Sequence, residues 1–137
     1  MKILSLTLLI FLIACKSLGM KNQTQMFTTG KYLVLKLNEK NFSEKENYQV
    51  YLNTSQNSLG AKFDCNQYSV QYKLKENNKI EFGFPVGTKM YCEGEMAMEN
   101  NFFGVIRNLK YFDFKNGYLK FYDENKELII KLEKLKS

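Results

Sequence analysis

Apolar and polar residues alternate with a period of two along most of this chain, and this pattern limits the possible folds most strongly. In residues 48–52, for example, Tyr48, Val50 and Leu52 share one side of an extended backbone. Such alternation is typical of half-buried β-strands. The runs are separated by short segments rich in Asn, Ser and Glu, which is turn composition. The predicted strands are 31–37, 48–52, 59–63, the two arms of a hairpin within 68–84, 111–115, 118–122 and 127–133.

One stretch has helical periodicity instead. Met98, Phe102, Val105 and Leu109 follow the i, i+4, i+7, i+11 spacing of one helical face. We therefore predict a helix over about residues 93–108 that covers part of the sheet.

These elements predict an α+β fold that is mostly β. A chain of 137 residues is the size of one domain, and a hydrophobic content of 45% is enough to form a core. Antiparallel strands with local connections must protect their edges, which favours a curved sheet. We predict a barrel-like antiparallel sheet of seven or eight strands with one helix over an end or an open side.

The N-terminus has the pattern of an export leader. A lysine at position 2 precedes eleven almost wholly apolar residues, 3–13. This apolar run is too short to span a hydrocarbon layer of ~30 Å as a helix, so a cleaved leader over residues 1–14 is the prediction.

The leader ends in Leu12-Ile13-Ala14-Cys15, which resembles the lipobox of bacterial lipoproteins. The resemblance implies cleavage before Cys15 and acylation of this cysteine, which would attach the chain to a membrane. Lys16 follows, where aspartate would favour the inner membrane, so we expect the outer membrane, facing the periplasm or the cell surface. Residues 15–29 are mostly polar and are expected to form a flexible tether. An ordinary leader with a chance cysteine is the alternative.

The formal net charge of +6 does not by itself indicate a binding partner. The lysines alternate with apolar residues along the predicted strands and with glutamates near the C-terminus, as on solvated faces. We expect no nucleic-acid partner, and a dedicated anionic partner is the alternative.

Cys65 and Cys92 remain once Cys15 is assigned to the lipid. Because exported proteins fold in an oxidising compartment, we predict a disulfide between them. Closing a loop of about 28 residues restricts the unfolded chain by roughly 3.6 kcal/mol in the chain-entropy model. Reduced structural thiols and reactive chemistry are the alternatives. A zinc site would need further ligands in a chain that has no histidine, and a redox pair usually has Cys-x-x-Cys spacing.

Three segments in a fixed order resemble the META domain, the HslJ-like family of small bacterial envelope proteins. They are DCNQYSVQY (64–72), against a family pattern of roughly Gly-Cys-Asn-x-Phe-x-Gly-x-Tyr, TKMYC (88–92), against Thr-x-Met-x-Cys, and ENNFF (99–103). The family glycines are replaced by Asp64 and Val70, and the usual Trp of the first strand by Tyr32. The resemblance covers residues 30–135. The motif residues are Asp64, Asn66, Tyr68, Thr88, Met90 and Glu99.

The polar motif residues are expected to have structural roles. Asn66 and Thr88 are short polar residues beside turns, where they usually hold backbone groups, and Thr88 or Glu93 would cap the helix. We expect Glu99 to be a solvated helix residue. A functional role for Asn66 and Thr88, and a ligand for the Glu99 carboxylate, are the alternatives.

The methionines and tyrosines are expected to pack against the core. Met90, Met96 and Met98 could instead be soft ligands of copper(I), but methionine usually fills core gaps. The alternative for five tyrosines is that they line a lipid or peptide groove. These tyrosines are Tyr51, Tyr68, Tyr72, Tyr111 and Tyr122.

The residues do not suggest catalysis. The lack of histidine excludes the usual Ser-His and Cys-His arrangements, and there is no Gly-rich phosphate loop. Glu93, Glu95 and Glu99 have no spacing that assigns an acid and a base. We expect no enzyme activity, no cofactor and no metal.

The functional hypothesis is a lipid-anchored envelope protein whose domain binds or scaffolds an unidentified envelope protein or small ligand. The resemblance implies a role in envelope stress or resistance to toxic compounds. The alternatives are a lipid or peptide carrier or assembly chaperone, with a cavity between sheet and helix, and an inhibitor of a secreted hydrolase.

Overall fold

The computed structural model describes residues 26–63, 65–92 and 96–136. The leader, Cys15, most of the predicted tether, Asp64, and Glu93 to Glu95 at the predicted helix start lie outside the described residues. The elements are β1 (Gly30–Leu37), β2 (Lys40–Asn41), β3 (Gln49–Asn53), β4 (Ser58–Lys62), β5 (Gln67–Lys75), β6 (Lys79–Phe82), β7 (Val86–Gly87), α1 (Ala97–Val105), β8 (Tyr111–Lys115), β9 (Tyr118–Tyr122) and β10 (Leu128–Lys134).

Eight of the strands close into an antiparallel barrel, which confirms the predicted fold class. Their order is β1-β3-β4-β5-β6-β8-β9-β10, and β10 pairs with β1 to close the ring. The two short strands are additions, since β2 pairs with β1 and β7 with β5. The seam between β6 and β8 is the thinnest, with one residue pair, Lys79 opposite Tyr111.

Asparagine forms most of the tight turns. Seven non-glycine residues among those described have positive φ, and six of them are asparagines. The short polar side chain of Asn tolerates this left-handed conformation better than most others. In the β8–β9 hairpin, Asn116 (φ 53°) and Gly117 (φ 82°) adopt it in succession. This is the geometry that the Asn-Gly pair favours in a two-residue hairpin.

The helix packs onto the barrel through the predicted apolar face. Phe102 is fully buried, and its ring lies 5.1 Å from the ring of Phe63 and 5.2 Å from that of Phe103. The helix continues into a 3-10 turn, Ile106–Asn108, in which Ile106 is also buried. Strand and helix side chains therefore form one core.

The packed body begins before residue 30, the predicted end of the tether. Phe27 is only 2% exposed, and its ring makes edge contacts with Tyr72 at 5.6 Å and with Phe112 at 5.3 Å. The hydroxyl of Tyr32 donates to the carbonyl of Thr28 at 2.7 Å. Residues 27 and 28 are thus part of the body and not of a free tether.

The hairpin predicted over residues 68–84 is shorter than expected. Its returning strand β6 ends at Phe82, and Phe84 is 72% exposed. Pro85 lacks a backbone N–H and cannot continue a ladder of hydrogen bonds. After Pro85 the chain pairs with β5 again through β7, which lies opposite the first part of β5.

None of the helices in the described ranges is long and apolar enough to cross a membrane.

Candidate functional site

Asn66 and Glu99 form a buried polar pair that joins the start of β5 to the first turn of α1. Asn66 is 3% exposed and Glu99 is 1% exposed. The Oε2 atom of Glu99 accepts from the backbone N–H of Asn66 at 3.0 Å, and Oε1 accepts from Nδ2 of Asn66 at 2.8 Å. Both carboxyl oxygens are therefore satisfied by one residue. The first turn of a helix also favours an acidic side chain, because the helix dipole is positive there.

The side-chain oxygen of Asn66 binds the segment that contains the second motif. Its Oδ1 atom accepts from the backbone N–H of Met90 at 2.7 Å and from the hydroxyl of Thr88 at 3.0 Å. The Thr88 hydroxyl in turn accepts from the backbone N–H of Gln67 at 3.2 Å. We call Asn66, Thr88, Glu99 and the backbone of Gln67 and Met90 the Asn66 network. It connects all three motif segments.

A disulfide joins Cys65 to Cys92 next to this network, as predicted. The two Cα atoms are 6.1 Å apart, and Cys65 is 5% exposed. The bond ties the start of β5 to the segment that leads toward the helix. The covalent bond and the Asn66 network thus fix the same two parts of the chain to each other.

Two expectations for motif residues are wrong, and one is confirmed. Glu99 is buried and hydrogen-bonded, whereas we expected a solvated position. Thr88 and Asn66 accept from the backbone N–H groups of Gln67 and Met90, as expected for short polar residues beside turns. Thr88 does not cap α1, whose N-cap residue Met96 has no side-chain cap bond, and Glu93, the other predicted cap, lies outside the described residues. Met90 is 55% exposed and does not fill the core. Periodicity cannot reveal these outcomes, because each depends on which distant segment lies opposite.

The other two methionines of the predicted group, Met96 and Met98, lie at the helix start. Met98 is buried on the apolar face of α1. The sulfur of Met96 lies 3.7 Å from Nδ2 of Asn66, where it is a weak acceptor.

Gly87 is a site residue that the sequence analysis missed. A Cβ atom placed on Gly87 would lie 2.4 Å from the Tyr68 ring and 2.8 Å from the carbonyl oxygen of Gln67. The Tyr68 ring is held from another side, because it stacks on Phe103 with centroids 4.5 Å apart. Only glycine fits between this ring and β5. The available clue was its position directly before Thr88.

The five tyrosines do not share one groove. Tyr51 is 46% exposed on β3, whereas Tyr72 is buried in the core. Tyr111 and Tyr122 are cross-strand partners on β8 and β9.

Tyr72 has a hydroxyl without a hydrogen-bond partner among the described residues. Burial, with a smaller contribution from Tyr32, raises the pKa of Tyr72 to about 12. A buried hydroxyl that makes no hydrogen bond costs stability.

An open groove of about 360 Å³ lies between the β1–β2 turn and the start of α1. Leu37, Phe42 and Met98 supply apolar surface, and Glu39 and Lys40 supply charge. Ala97 and Asn101 lie on its helix side. It is separate from the Asn66 network, none of whose residues lines it.

The arrangement around Asn66 is suited to holding structure. The side-chain oxygens of Glu99 and both polar atoms of Asn66 are engaged in hydrogen bonds within the protein. Within residues 26–63, 65–92 and 96–136, no group of three or more His, Cys, Asp or Glu residues is placed to hold a metal ion.

The fold and the network together define a class of protein, a small antiparallel β-barrel whose single described α-helix is held to the sheet by a buried Asn–Glu pair next to a disulfide. The model of the META domain family matches residues 23–135. The chain belongs to the META domain family.

Two solved structures resemble this barrel. One is an NMR structure of a protein from Burkholderia xenovorans, with a TM-score of 0.59, 16% identity, and coverage of 83% of this chain and 87% of that chain. The other is a crystal structure of a duf4847 family protein from Bacteroides vulgatus, with a TM-score of 0.59, 11% identity, and coverage of 82% of this chain and 96% of that chain. At these identities the likeness shows the fold alone. No curated protein matches the chain significantly.

Proposed function

We propose that the chain is a lipid-anchored cell-envelope protein whose META domain binds or positions a partner and does not catalyse a reaction. The observation that carries the anchoring is the sequence Leu12-Ile13-Ala14-Cys15 directly after the apolar leader. The proposal of a non-catalytic domain is supported by the Asn66 network, whose buried polar atoms are already engaged with each other.

Acylation can be tested by metabolic labelling with an alkyne-tagged fatty acid in the native cells. We expect label on the wild-type chain in the outer-membrane fraction and none on a Cys15→Ser variant. A Cys65→Ser variant is the matched control, because it removes a different cysteine and should keep the label. An unlabelled wild-type chain would contradict the anchoring.

The binding role can be tested by crosslinking in the same cells. The wild-type chain should yield a defined crosslinked partner that is lost when the chain is released from the membrane by Cys15→Ser.

A role in envelope stress can be tested with a deletion strain. This strain should be more sensitive to envelope-damaging compounds, and only the acylated form should restore resistance. Full resistance of the deletion strain would contradict the stress role.

A carrier function is the second candidate, and the groove beside Met98 favours it. Native mass spectrometry of the protein purified from its own cells should then detect a bound acyl chain or peptide. An Ala97→Phe variant would place a ring in the groove and lower occupancy. Asn100→Phe is the control, because Asn100 is exposed on the same helix but does not line the groove. Equal occupancy in both variants would contradict this candidate.

A further inference from the structure

Residues 84–91 expose more large apolar side chains than any comparable segment of the described chain. We call Phe84, Val86, Met90 and Tyr91 the apolar segment, and their exposed fractions are 72%, 73%, 55% and 90%. Apolar groups usually leave water when a protein folds, and a cluster of them at the surface often marks an interaction site. The Asn66 network fixes the backbone at Met90, so the segment is held in place by the fold.

Four exposed lysines lie on β5, on β6 and directly before β8. We call Lys73, Lys75, Lys79 and Lys110, all exposed, the lysine cluster. Lys75 and Lys79 are directly opposite each other on β5 and β6, an arrangement that like charges disfavour. Lys75, Lys79 and Lys110 line one shallow depression together with Glu81 and Glu124. The exposed Glu76 lies in the turn between Lys75 and Lys79, so the cluster has four lysines against three nearby carboxylates.

Contacts connect the lysine cluster to the apolar segment. The Arg107 guanidinium lies over the Phe84 ring at 3.6 Å, and the Arg107 carbonyl accepts from Nζ of Lys110 at 3.4 Å. Lys75 forms an ion pair with Glu81. The hydrogen bond from Lys75 lowers the pKa of Glu81, and the charges of Lys73 and Lys110 lower this pKa further. Arg107 and Lys110 therefore connect Phe84, the first residue of the apolar segment, to the lysine cluster.

We propose that this surface docks onto an anionic lipid bilayer, with the apolar segment in the interface and the lysine cluster on lipid phosphates. Cationic side chains next to exposed aromatic and aliphatic groups are the combination that anionic membrane surfaces bind. The inference rests on the proposed function in one respect. An acylated Cys15 would lie about ten residues from the described body, which limits the distance to the bilayer to about 35 Å.

The test uses the unacylated chain from Lys16 onward, which contains the entire barrel. It is mixed with vesicles of phosphatidylcholine alone or of phosphatidylcholine and phosphatidylglycerol in equal amounts. We expect co-sedimentation only with the anionic vesicles, and less of it as salt is raised. Lys75→Gln/Lys79→Gln should weaken binding about thirtyfold, since each lysine near such a surface contributes on the order of 1 kcal/mol. Lys31→Gln/Lys45→Gln, on β1 and in the connection between β2 and β3, is the charge-matched control at exposed positions and should bind like wild type.

Tryptophan fluorescence tests the apolar segment independently, because the chain contains no Trp. Tyr91→Trp should show a blue-shifted emission when anionic vesicles are added. Tyr51→Trp, an exposed tyrosine on β3, should show no shift. A chain that melts cooperatively but does not bind, equal binding to both vesicle types, or equal shifts at both positions would overturn the proposal. Because acylation is measured separately on Cys15, failure here leaves the anchoring result intact.

Discussion

At the scale of single residues, polar side chains in the core distinguish this barrel from a purely apolar one. Asn66 satisfies both oxygens of Glu99 and two groups of the second motif segment. Tyr72 shows the opposite case, a buried hydroxyl that has no partner within the described ranges. The first arrangement should stabilise the fold, and the second should cost stability.

Glu99→Gln should lower the free energy of unfolding by about 1–3 kcal/mol. The amide would place an N–H₂ group against one of the two donors of Asn66, which leaves a buried donor unpaired. Urea denaturation measures the loss. Glu127→Gln, at an exposed position, is the control and should change stability by less than about 0.5 kcal/mol. Equal curves for both variants would show that the pair does not stabilise the fold.

Tyr72→Phe should leave stability at neutral pH unchanged or raise it, because it removes an unpaired hydroxyl. It should also flatten the alkaline loss of stability. The folded-state pKa of about 12 lies above the ordinary value of 10.0, so the unfolded chain ionises first. This contribution is fully present below pH ~10 and is lost toward pH ~12, at about 1.4 kcal/mol per pH unit. Urea denaturation of both proteins across this range measures the difference, and parallel pH profiles would contradict the assignment.

At the scale of elements, the contact of β7 with β5 determines where the second motif segment lies. Gly87 allows the β7 backbone to approach the Tyr68 ring, and Pro85 separates β7 from β6. Thr88 directly follows β7, and its hydroxyl and the backbone N–H of Met90 donate hydrogen bonds to Asn66.

Gly87→Ala should destabilise the protein by about 1–3 kcal/mol, because the new methyl group would collide with the Tyr68 ring and the Gln67 carbonyl. Gly104→Ala is the matched control. Gly104 lies in α1, and apart from its chain neighbours and the backbone of its own helix no atom lies within 4 Å of an added Cβ, so alanine should stabilise the helix by up to about 1 kcal/mol. Thermal melts compare the two. If both variants gained stability, the close approach of β7 would be refuted.

At the scale of the whole molecule, the closed barrel and the disulfide act together. Pairing of β1 with β10 brings the two ends of the described chain into one sheet. The bond between Cys65 and Cys92 closes a loop within this ring and restricts the unfolded chain.

Reduction of the disulfide in the chain from Lys16 onward should lower the free energy of unfolding by about 3–4 kcal/mol. Guanidinium denaturation with and without a phosphine reductant measures it. A Cys65→Ala/Cys92→Ala variant should resemble the reduced wild type and should not respond to the reductant. Unchanged wild-type stability on reduction would contradict the role of the bond.

The sequence by itself determined the mostly β fold, the hairpin at Asn116-Gly117 and the apolar face of α1. These features follow from local periodicity and turn chemistry, which depend on neighbouring residues only. The resemblance of three motifs indicated the family, which the family model confirms. The tertiary structure alone decided that Glu99 is buried, that Met90 and Phe84 are exposed, and that Phe27 belongs to the core. Each of these outcomes depends on contacts between segments far apart in sequence, and burial of a side chain is set by the segment that covers it.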